Sequence, residues 1–182
     1  MLLNGTSSAV ASWVGPDRQA HDFRVGAREF EVKTTSSSKR VHTINGIGQL
    51  QPSANCTLYL ISIQLTDAGT GGRSLPELAD TLKTVMPAAD VERYNDRLKA
   101  SGYSASHAVH YPRRRRLRSD MAMIQVEDGT PRITAACLAA LPPSFASERI
   151  VTVTYDVDVS GLGVTDGSEQ FLAIISRAVD AA

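Results

Sequence analysis

Residues 21–35 read HDFRVGAREFEVKTT, and this stretch decides the fold because two short extended runs flank a glycine turn within it. The second run alternates between apolar side chains on one face and Glu29, Glu31 and Lys33 on the other, which is typical of a β-strand. Two extended runs joined by a tight turn form a β-hairpin. The stretch therefore predicts an antiparallel hairpin with one charged face.

The segments around the hairpin alternate between strand and helix patterns. CTLYLISIQL, at residues 56–65, is apolar on both faces and rich in β-branched residues, which favours a central strand. Ser74 and Glu77 form a capping box that predicts the start of a helix. Further strands are predicted over residues 41–44, 113–127 and 149–160, and further helices over residues 6–14, 88–101 and 166–182. The pattern predicts a single α/β or α+β domain over residues 1–182, with a mixed sheet flanked by helices.

Composition and charge limit the class of protein. Of the 182 residues, 42% are hydrophobic and 21% are charged, which excludes a disordered tail, a coiled coil and a collagen-like chain. No apolar run approaches the ~18–20 residues of a membrane helix, and residues 1–10 lack the basic region of a signal peptide. We therefore expect a cytoplasmic protein without membrane contact. Basic and acidic residues number 19 each, which excludes a uniformly basic nucleic-acid binder but leaves a local basic patch open.

The cysteines and histidines do not predict a zinc site. Cys56 and Cys137 both lie in apolar runs, so each is expected in the core rather than in a disulfide. The four histidines have no zinc-ligand spacing relative to the cysteines. Trp13 and Tyr59 are likewise expected in the core.

The hairpin combines the residue types of a hard-cation site. Glu31 and Lys33 are two apart and share one face, and Asp22 approaches them from the preceding strand. Two converging carboxylates suit Mg²⁺, and a lysine can neutralise charge that develops on a phosphodiester. A solvated face, with Glu31 and Lys33 contacting water, remains the alternative. His21 has two interpretations: it is a general base or a residue that supports the site, or it is a polar residue at the end of a strand with no role.

The order Asp-(x)n-Glu-x-Lys on two antiparallel strands resembles the core of the PD-(D/E)XK nuclease superfamily, which has a restriction-endonuclease-like fold. From residue 12 onward the chain resembles an uncharacterised bacterial family of that superfamily, which tends to accompany restriction-modification and phage-defence genes. The matching segments are WVGPDRQAHDFRVG, EFEVKTTSSSKRVH, Gln49-Leu50, LYLISIQL, SLPEL, PRIT and VTYDVDVSGL. The resemblance implies a Mg²⁺-dependent DNA endonuclease that hydrolyses phosphodiester bonds with a metal-bound water.

The resemblance also implies roles for individual residues. Asp22 and Glu31 match two acidic ligands of Mg²⁺ or Mn²⁺, and Lys33 matches the catalytic lysine. Gln49 is similar to a polar residue that, in some relatives, reaches the site from the next element. DNA is the implied partner, in a restriction or phage-defence system. Other subunits of such a system, or a second copy of the chain, are open as protein partners.

The N-terminal segment departs from the family pattern. Family members usually begin with a longer helix that carries a glutamate facing the site, whereas residues 1–10 contain no Asp or Glu. The N-terminal helix is therefore expected to be short and the affinity for metal to be reduced. A catalytically silent nuclease-fold subunit that binds DNA or supports assembly is the main alternative, and a plain structural domain is a third.

A basic cluster lies in the second half of the chain. Five arginines fall within six residues, at Arg113, Arg114, Arg115, Arg116 and Arg118. They are suited to neutralise DNA phosphates, or they protect a strand edge against aggregation. Alternation along a strand would direct the first and third of them to one side and the other three to the opposite side.

Overall fold

The structure, a computed structural model, describes residues 9–179 of the chain, and the predicted hairpin is present in it. Strand β1 (Phe23–Val25) pairs antiparallel with strand β2 (Arg28–Thr35). Gly26, in the turn between them, has a φ of 56°, a backbone conformation that glycine adopts without steric cost.

The chain before the hairpin runs along β1. Residues 9–12 form a turn, Trp13 makes a β-bridge to β1, and the carbonyl of Ser12 accepts a 2.8 Å hydrogen bond from that strand. The helix predicted over residues 6–14 is therefore wrong in its described part, because after a single turn, closed by the Trp13 N–H and the Val10 carbonyl, the chain pairs with β1. Residues 6–8 lie outside the described residues.

Strand β4 (Thr57–Asp67) occupies the centre of the sheet, as predicted. It pairs in parallel with β2 and antiparallel with β6 (Ala122–Gln125). The strand order is β1-β2-β4-β6-β8, where β8 is Val164–Thr165, and β5 (Arg115–Leu117) pairs with the last residues of β4. The predicted mixed sheet is confirmed.

The sheet carries a core on each face. A two-stranded ribbon, formed by β3 (Val41–Asn45) and β7 (Thr154–Asp158), packs against the face of the sheet that includes Leu58 and Leu60. Helix α4 (Glu169–Val179) packs against the opposite face. Because Leu60 is the register partner of Glu31 in the parallel β2–β4 pair, the charged face of the hairpin lies on the ribbon side.

Two helices connect β4 to β5. Helix α1 (Leu75–Val85) begins at the predicted Ser74–Glu77 capping box, and helix α2 (Val91–Ala100) follows a 3-10 turn. A third, short helix, α3 (Ala135–Ala139), comes after the sheet's β6. Within residues 9–179, none of the helices has both the length and the apolar character needed to cross a membrane.

An apolar groove of about 870 Å³ lies between α1, α2 and the sheet. Its α1 wall includes Leu75, Leu78 and Leu82, which are 44%, 43% and 39% exposed. Trp13 and Phe171 are among the residues that line the rest of the groove. Helix α1 therefore leaves an apolar stripe only partly covered.

The extended run predicted over residues 113–127 is interrupted between β5 and β6. The hydroxyl of Ser119 donates to Gln64 Oε1 at 2.7 Å, and Arg40 donates to both the Ser119 hydroxyl and the Asp120 carbonyl. These side-chain contacts from elsewhere in the chain hold a bend, so the prediction of one continuous strand is wrong.

Other predictions at the C-terminal end hold only in part. The strand predicted over residues 149–160 pairs only over Thr154–Asp158, because its partner β3 ends opposite Thr154, and Val151 is 96% exposed.

The residues predicted to lie in the core differ in their burial. Tyr59 is buried as predicted, and Trp13 and Cys56 are half-buried. Cys137 is exposed on α3, so the prediction that it lies in the core is wrong.

Candidate active site

The backbone of β2 and of the segment before the hairpin holds Asp22 in place. Asp22 Oδ2 accepts a 2.8 Å hydrogen bond from the backbone N–H of Val32 across the hairpin. The Asp22 carbonyl accepts hydrogen bonds from the N–H groups of Val14 and Gly15 at 2.9 and 3.0 Å. A side chain at Gly15 would lie 3.1 Å from Asp22 Oδ1, so glycine leaves the second carboxylate oxygen accessible on that side.

Glu31 and Lys33 lie side by side on β2. Glu31 is only 4% exposed, and its Oε1 lies 3.2 Å from the ammonium of Lys33. A strand directs residues two apart to the same face, which is why this sequence spacing produces the ion pair. The alternative of a solvated face is wrong, because the ribbon covers this side of the hairpin.

Gln49 joins the site from the turn that follows β3. Its Oε1 accepts two hydrogen bonds of 2.8 Å, one from the ammonium of Lys33 and one from the backbone N–H of Asn45. A single amide oxygen therefore connects the lysine on the sheet to the ribbon. The structure thus brings the four residues predicted for the site, Asp22, Glu31, Lys33 and Gln49, into one region.

A second buried carboxylate, Glu29, lies on the same face as Glu31 and is 3% exposed. Its Oε2 accepts a 2.9 Å hydrogen bond from Ser53 N and lies 3.4 Å from Nε2 of His21. Nδ1 of His21 lies 3.9 Å from Oε2 of Glu31. Glu29 is therefore a buried residue of the site for which the sequence predicted a place on the charged face but no role, although its two-residue spacing from Glu31 is a usable signal.

The pKa values reflect this concentration of acidic groups. Burial raises the pKa of Asp22 above its ordinary value, and repulsion from Glu31 adds to that effect, despite the opposing hydrogen bond from Val32. Burial alone would lower the pKa of His21, but attraction to Glu31 and Glu29 and the contact with the Gln51 carbonyl raise it. A site with surplus buried carboxylate favours a cation.

A second polar layer lies beneath Lys33. The register partner of Lys33 on β4 is Ser62, whose hydroxyl lies 2.7 Å from Nε2 of His42. Arg40 donates to the carbonyl of Ser62 at 2.8 Å. Burial lowers the pKa of His42, and the positive charges of Lys33 and Arg40 lower it further. These hydrogen bonds hold Ser62, the residue beside Lys33 on the neighbouring strand, in place.

The donor chemistry at the hairpin fits a hard divalent cation. Asp22 and Glu31 supply carboxylate oxygens, and Mg²⁺ is commonly held by one or two carboxylates with water completing its shell. Across residues 9–179 no group of three or more His, Cys, Asp or Glu side chains is arranged as a metal site. A cation here would therefore rest on the two carboxylates together with other oxygen ligands.

The arginine cluster lies at the end of β4, where β5 pairs with Leu65–Asp67, and its members differ in their contacts. Arg114 pairs with Glu77 at 2.6 Å, and Arg115 pairs with Asp67 at 3.3 Å. Arg113 also approaches Asp67, at 3.9 Å, and Arg118 donates to a backbone carbonyl at 3.4 Å. Arg116 is exposed and has no side-chain partner among the described residues. Of the cluster, strand β5 includes Arg115 and Arg116. Arg113 and Arg115, which were predicted to share one side, both face Asp67, whereas Arg114 faces Glu77.

A mixed sheet flanked by helices, with carboxylates and a lysine on a hairpin beside its central strand, defines a restriction-endonuclease-like α+β protein. Residues 2–160 match the model of the DUF4420 family, described as "Putative PD-(D/E)XK family member", and the chain belongs to that family. The resemblance to the PD-(D/E)XK superfamily is thereby confirmed. Neither the curated proteins nor the solved structures include a significant match to the chain.

Proposed function

We propose that this chain is a metal-dependent DNA endonuclease domain that hydrolyses phosphodiester bonds. The observation that carries the proposal is the cluster of Asp22, Glu31 and Lys33, with both glutamate and lysine held in place on one covered strand face. Membership of a PD-(D/E)XK family supports it. The proposed setting is a restriction or phage-defence system, with other subunits or a second copy of the chain as protein partners.

Asp22 and Glu31 are the residues proposed to hold Mg²⁺ or Mn²⁺. When bound, such a cation lowers the pKa of a bound water and stabilises negative charge on a phosphodiester. Asp22 is suited to this role because the Val32 N–H engages Oδ2 and leaves Oδ1 for a ligand. Glu31 is suited because its position is already fixed by the ion pair with Lys33.

Lys33 is proposed to neutralise charge on the scissile phosphate and to orient the attacking water. Its ammonium carries three donors, of which one reaches Gln49 at 2.8 Å and another faces Glu31 at 3.2 Å. A third donor is available for substrate. Gln49 is proposed as the residue that orients Lys33, because an amide oxygen fixes the direction of the ammonium without removing its charge.

Arg116 is the member of the arginine cluster best suited to contact DNA. The other four have partners within the chain, and Arg114 in particular connects the start of α1 to the glycine-rich loop before it. We expect Arg116→Gln to weaken binding to all duplexes alike and to reduce the slope of log affinity against log salt by roughly one. Arg114→Gln is the matched control, expected to lower thermal stability and leave DNA affinity nearly unchanged. Unchanged affinity and salt slope in Arg116→Gln would indicate that the run serves solubility.

The second candidate is a catalytically silent nuclease-fold subunit that binds DNA or supports assembly. The observation that favours it is the internal pairing of the site: Lys33, Glu31 and Gln49 satisfy one another within the chain. Such pairing would stabilise a fold that no longer requires a cation. The two candidates differ in whether bound metal and DNA lead to cleavage.

Plasmid cleavage in the presence of Mg²⁺ or Mn²⁺ separates the two candidates. We expect Asp22→Asn, Glu31→Gln and Lys33→Ala each to reduce cleavage by at least about 100-fold, because each removes a group that acts on the developing charge. Glu92→Gln, which changes an exposed carboxylate on α2, is the control and should cleave like the wild type. A wild-type protein that binds Mn²⁺ and DNA but cleaves neither plasmid nor linear duplex would favour the silent subunit.

A further inference from the structure

We propose that His21 is a positioning residue that connects the buried carboxylate of Glu29 to Glu31 and thereby presents Glu31 to the divalent cation. The proposal rests on the proposed function, because it assigns a supporting residue to the same site. It concerns the geometry of the carboxylate and involves no proton transfer by the ring.

The contacts form a continuous path from the turn after β3 to the site. Ser53 N donates to Glu29 Oε2 at 2.9 Å, and this oxygen lies 3.4 Å from His21 Nε2. Nε2 also lies 3.2 Å from the carbonyl of Gln51. The ring is therefore anchored on one side by Glu29 and the turn, and its other nitrogen is directed at Glu31.

The three side chains of the path, those of His21, Glu29 and Glu31, are shielded from water. His21 and Glu29 are each 3% exposed, and Glu31 is 4% exposed. Two carboxylates buried side by side on one strand repel each other strongly unless a donor lies between them. Arg24 and Lys33 each face one of the two carboxylates, at 3.8 and 3.2 Å, and His21 lies between the two carboxylates with one ring nitrogen towards each. Its Nδ1 has no hydrogen-bond partner within 3.5 Å among the described residues. The ring nitrogen facing Glu31 is thus available to it, at 3.9 Å.

The consequence is that each oxygen of Glu31 faces a basic side chain. Lys33 faces Oε1 at 3.2 Å and His21 faces Oε2 at 3.9 Å. A carboxylate with an ion pair on one oxygen and a ring nitrogen facing the other has a favoured orientation, so less ordering is needed when a cation binds. Residues that orient a metal ligand in this way typically change metal affinity about 10–100-fold when they are replaced.

Two conservative substitutions at one position separate positioning from packing. His21→Asn retains a donor near the position of Nδ1, whereas His21→Gln retains one near the position of Nε2. We expect His21→Gln to weaken Mn²⁺ binding by about tenfold, and His21→Asn to retain a larger part of the affinity. Glu29→Gln, which keeps the shape of the side chain that orients the ring, is expected to weaken Mn²⁺ binding to an intermediate degree.

The measurements are Mn²⁺ binding by calorimetry on the full chain, with thermal unfolding of the same samples. In parallel, the Mg²⁺ concentration for half-maximal cleavage should rise in His21→Gln, while the rate at saturating Mg²⁺ falls much less. Equal Mn²⁺ affinity in wild type, His21→Gln and Glu29→Gln overturns the inference. Equal losses in the Asn and Gln variants that follow their thermal stability also overturn it, because they indicate packing alone.

The outcomes distinguish this inference from the proposed function. If the wild type binds Mn²⁺, the Asp22→Asn variant does not, and no DNA is cleaved, the endonuclease proposal fails while the His21 comparison still decides the inference. If the wild type cleaves DNA and the His21 and Glu29 variants bind Mn²⁺ normally, the inference alone fails. A wild type that binds no Mn²⁺ overturns both.

Discussion

Strand β2 and helix α1 reverse the usual distribution of polar and apolar side chains. On β2, Glu29 and Glu31 are 3% and 4% exposed, whereas on α1, Leu78 and Leu82 are 43% and 39% exposed. Buried carboxylates are stable only where donors surround them, so each group on β2 depends on its neighbours. Leucine side chains that are about half exposed do not depend on specific neighbouring groups in this way. The two regions should therefore respond very differently to substitution.

The largest effect is expected on the β2 side, from His21→Ala. This change leaves Glu29 and Glu31 without the donor between them, and breaking a buried pair costs roughly 3 kcal/mol of unfolding free energy. Chemical denaturation at pH 7 measures the loss. Adding Glu29→Gln should recover part of it, because the charge of one of the two buried carboxylates is then removed. Strictly additive losses in the double variant would show that the contact between these residues contributes little.

A smaller effect is expected from acid at the layer beneath Lys33. Burial, together with Lys33 and Arg40, places the pKa of His42 below its ordinary value of 6.5. Its contribution to stability is therefore fully present above pH 6.5 and is lost as the pH falls through the lowered pKa, because only the unfolded chain is readily protonated. His21 acts in the opposite sense: its raised pKa gives stability that is present at low pH and is lost as the pH rises.

His42→Gln tests the acid effect directly. Between pH 7.5 and pH 5, the unfolding free energy should fall less steeply in this variant than in the wild type, since the variant lacks the group that must stay neutral. His107→Gln, at an exposed position in the 3-10 turn after α2, is the control and should keep the wild-type slope. Parallel slopes in all three proteins would remove His42 as the source.

The smallest effect is expected on the α1 side. Leu78→Gln replaces a side chain that is already 43% exposed at the groove, and surface substitutions usually change stability by less than about 0.5 kcal/mol. Thermal unfolding of Leu78→Gln beside Ala79→Gln provides the comparison, because Ala79 is the buried residue on the same helix. A loss at Leu78 as large as that at Ala79 would show that the groove is closed in solution.

Sequence patterns predicted the features that depend only on interactions between residues close together in the chain. The hairpin turn, the alternation on β2, the doubly apolar β4 and the Ser74 capping box each depend on neighbouring residues, and each is present. The approach of Asp22 to Glu31 and Lys33 also follows from hairpin pairing, although the roles of these residues stay predictions.

Features that depend on distant contacts were not predictable in this way. Alternation placed Glu29 and Glu31 on one face, but only the docking of the β3–β7 ribbon shows that this face is buried. The bend between β5 and β6 results from Arg40, about eighty residues away in the chain. Likewise, the apolar run around Cys137 gave no sign that α3 lies at the surface.

The double hydrogen bond to Gln49 gives the candidate site a spectroscopic reporter. Because one oxygen accepts from both Lys33 and the Asn45 amide, a ligand that draws Lys33 away changes the electron density available to the Asn45 proton. The amide chemical shift of Asn45 is thus a remote readout of the charge state around Lys33, observable in a chain of 19.5 kDa without labelling any residue of the site itself.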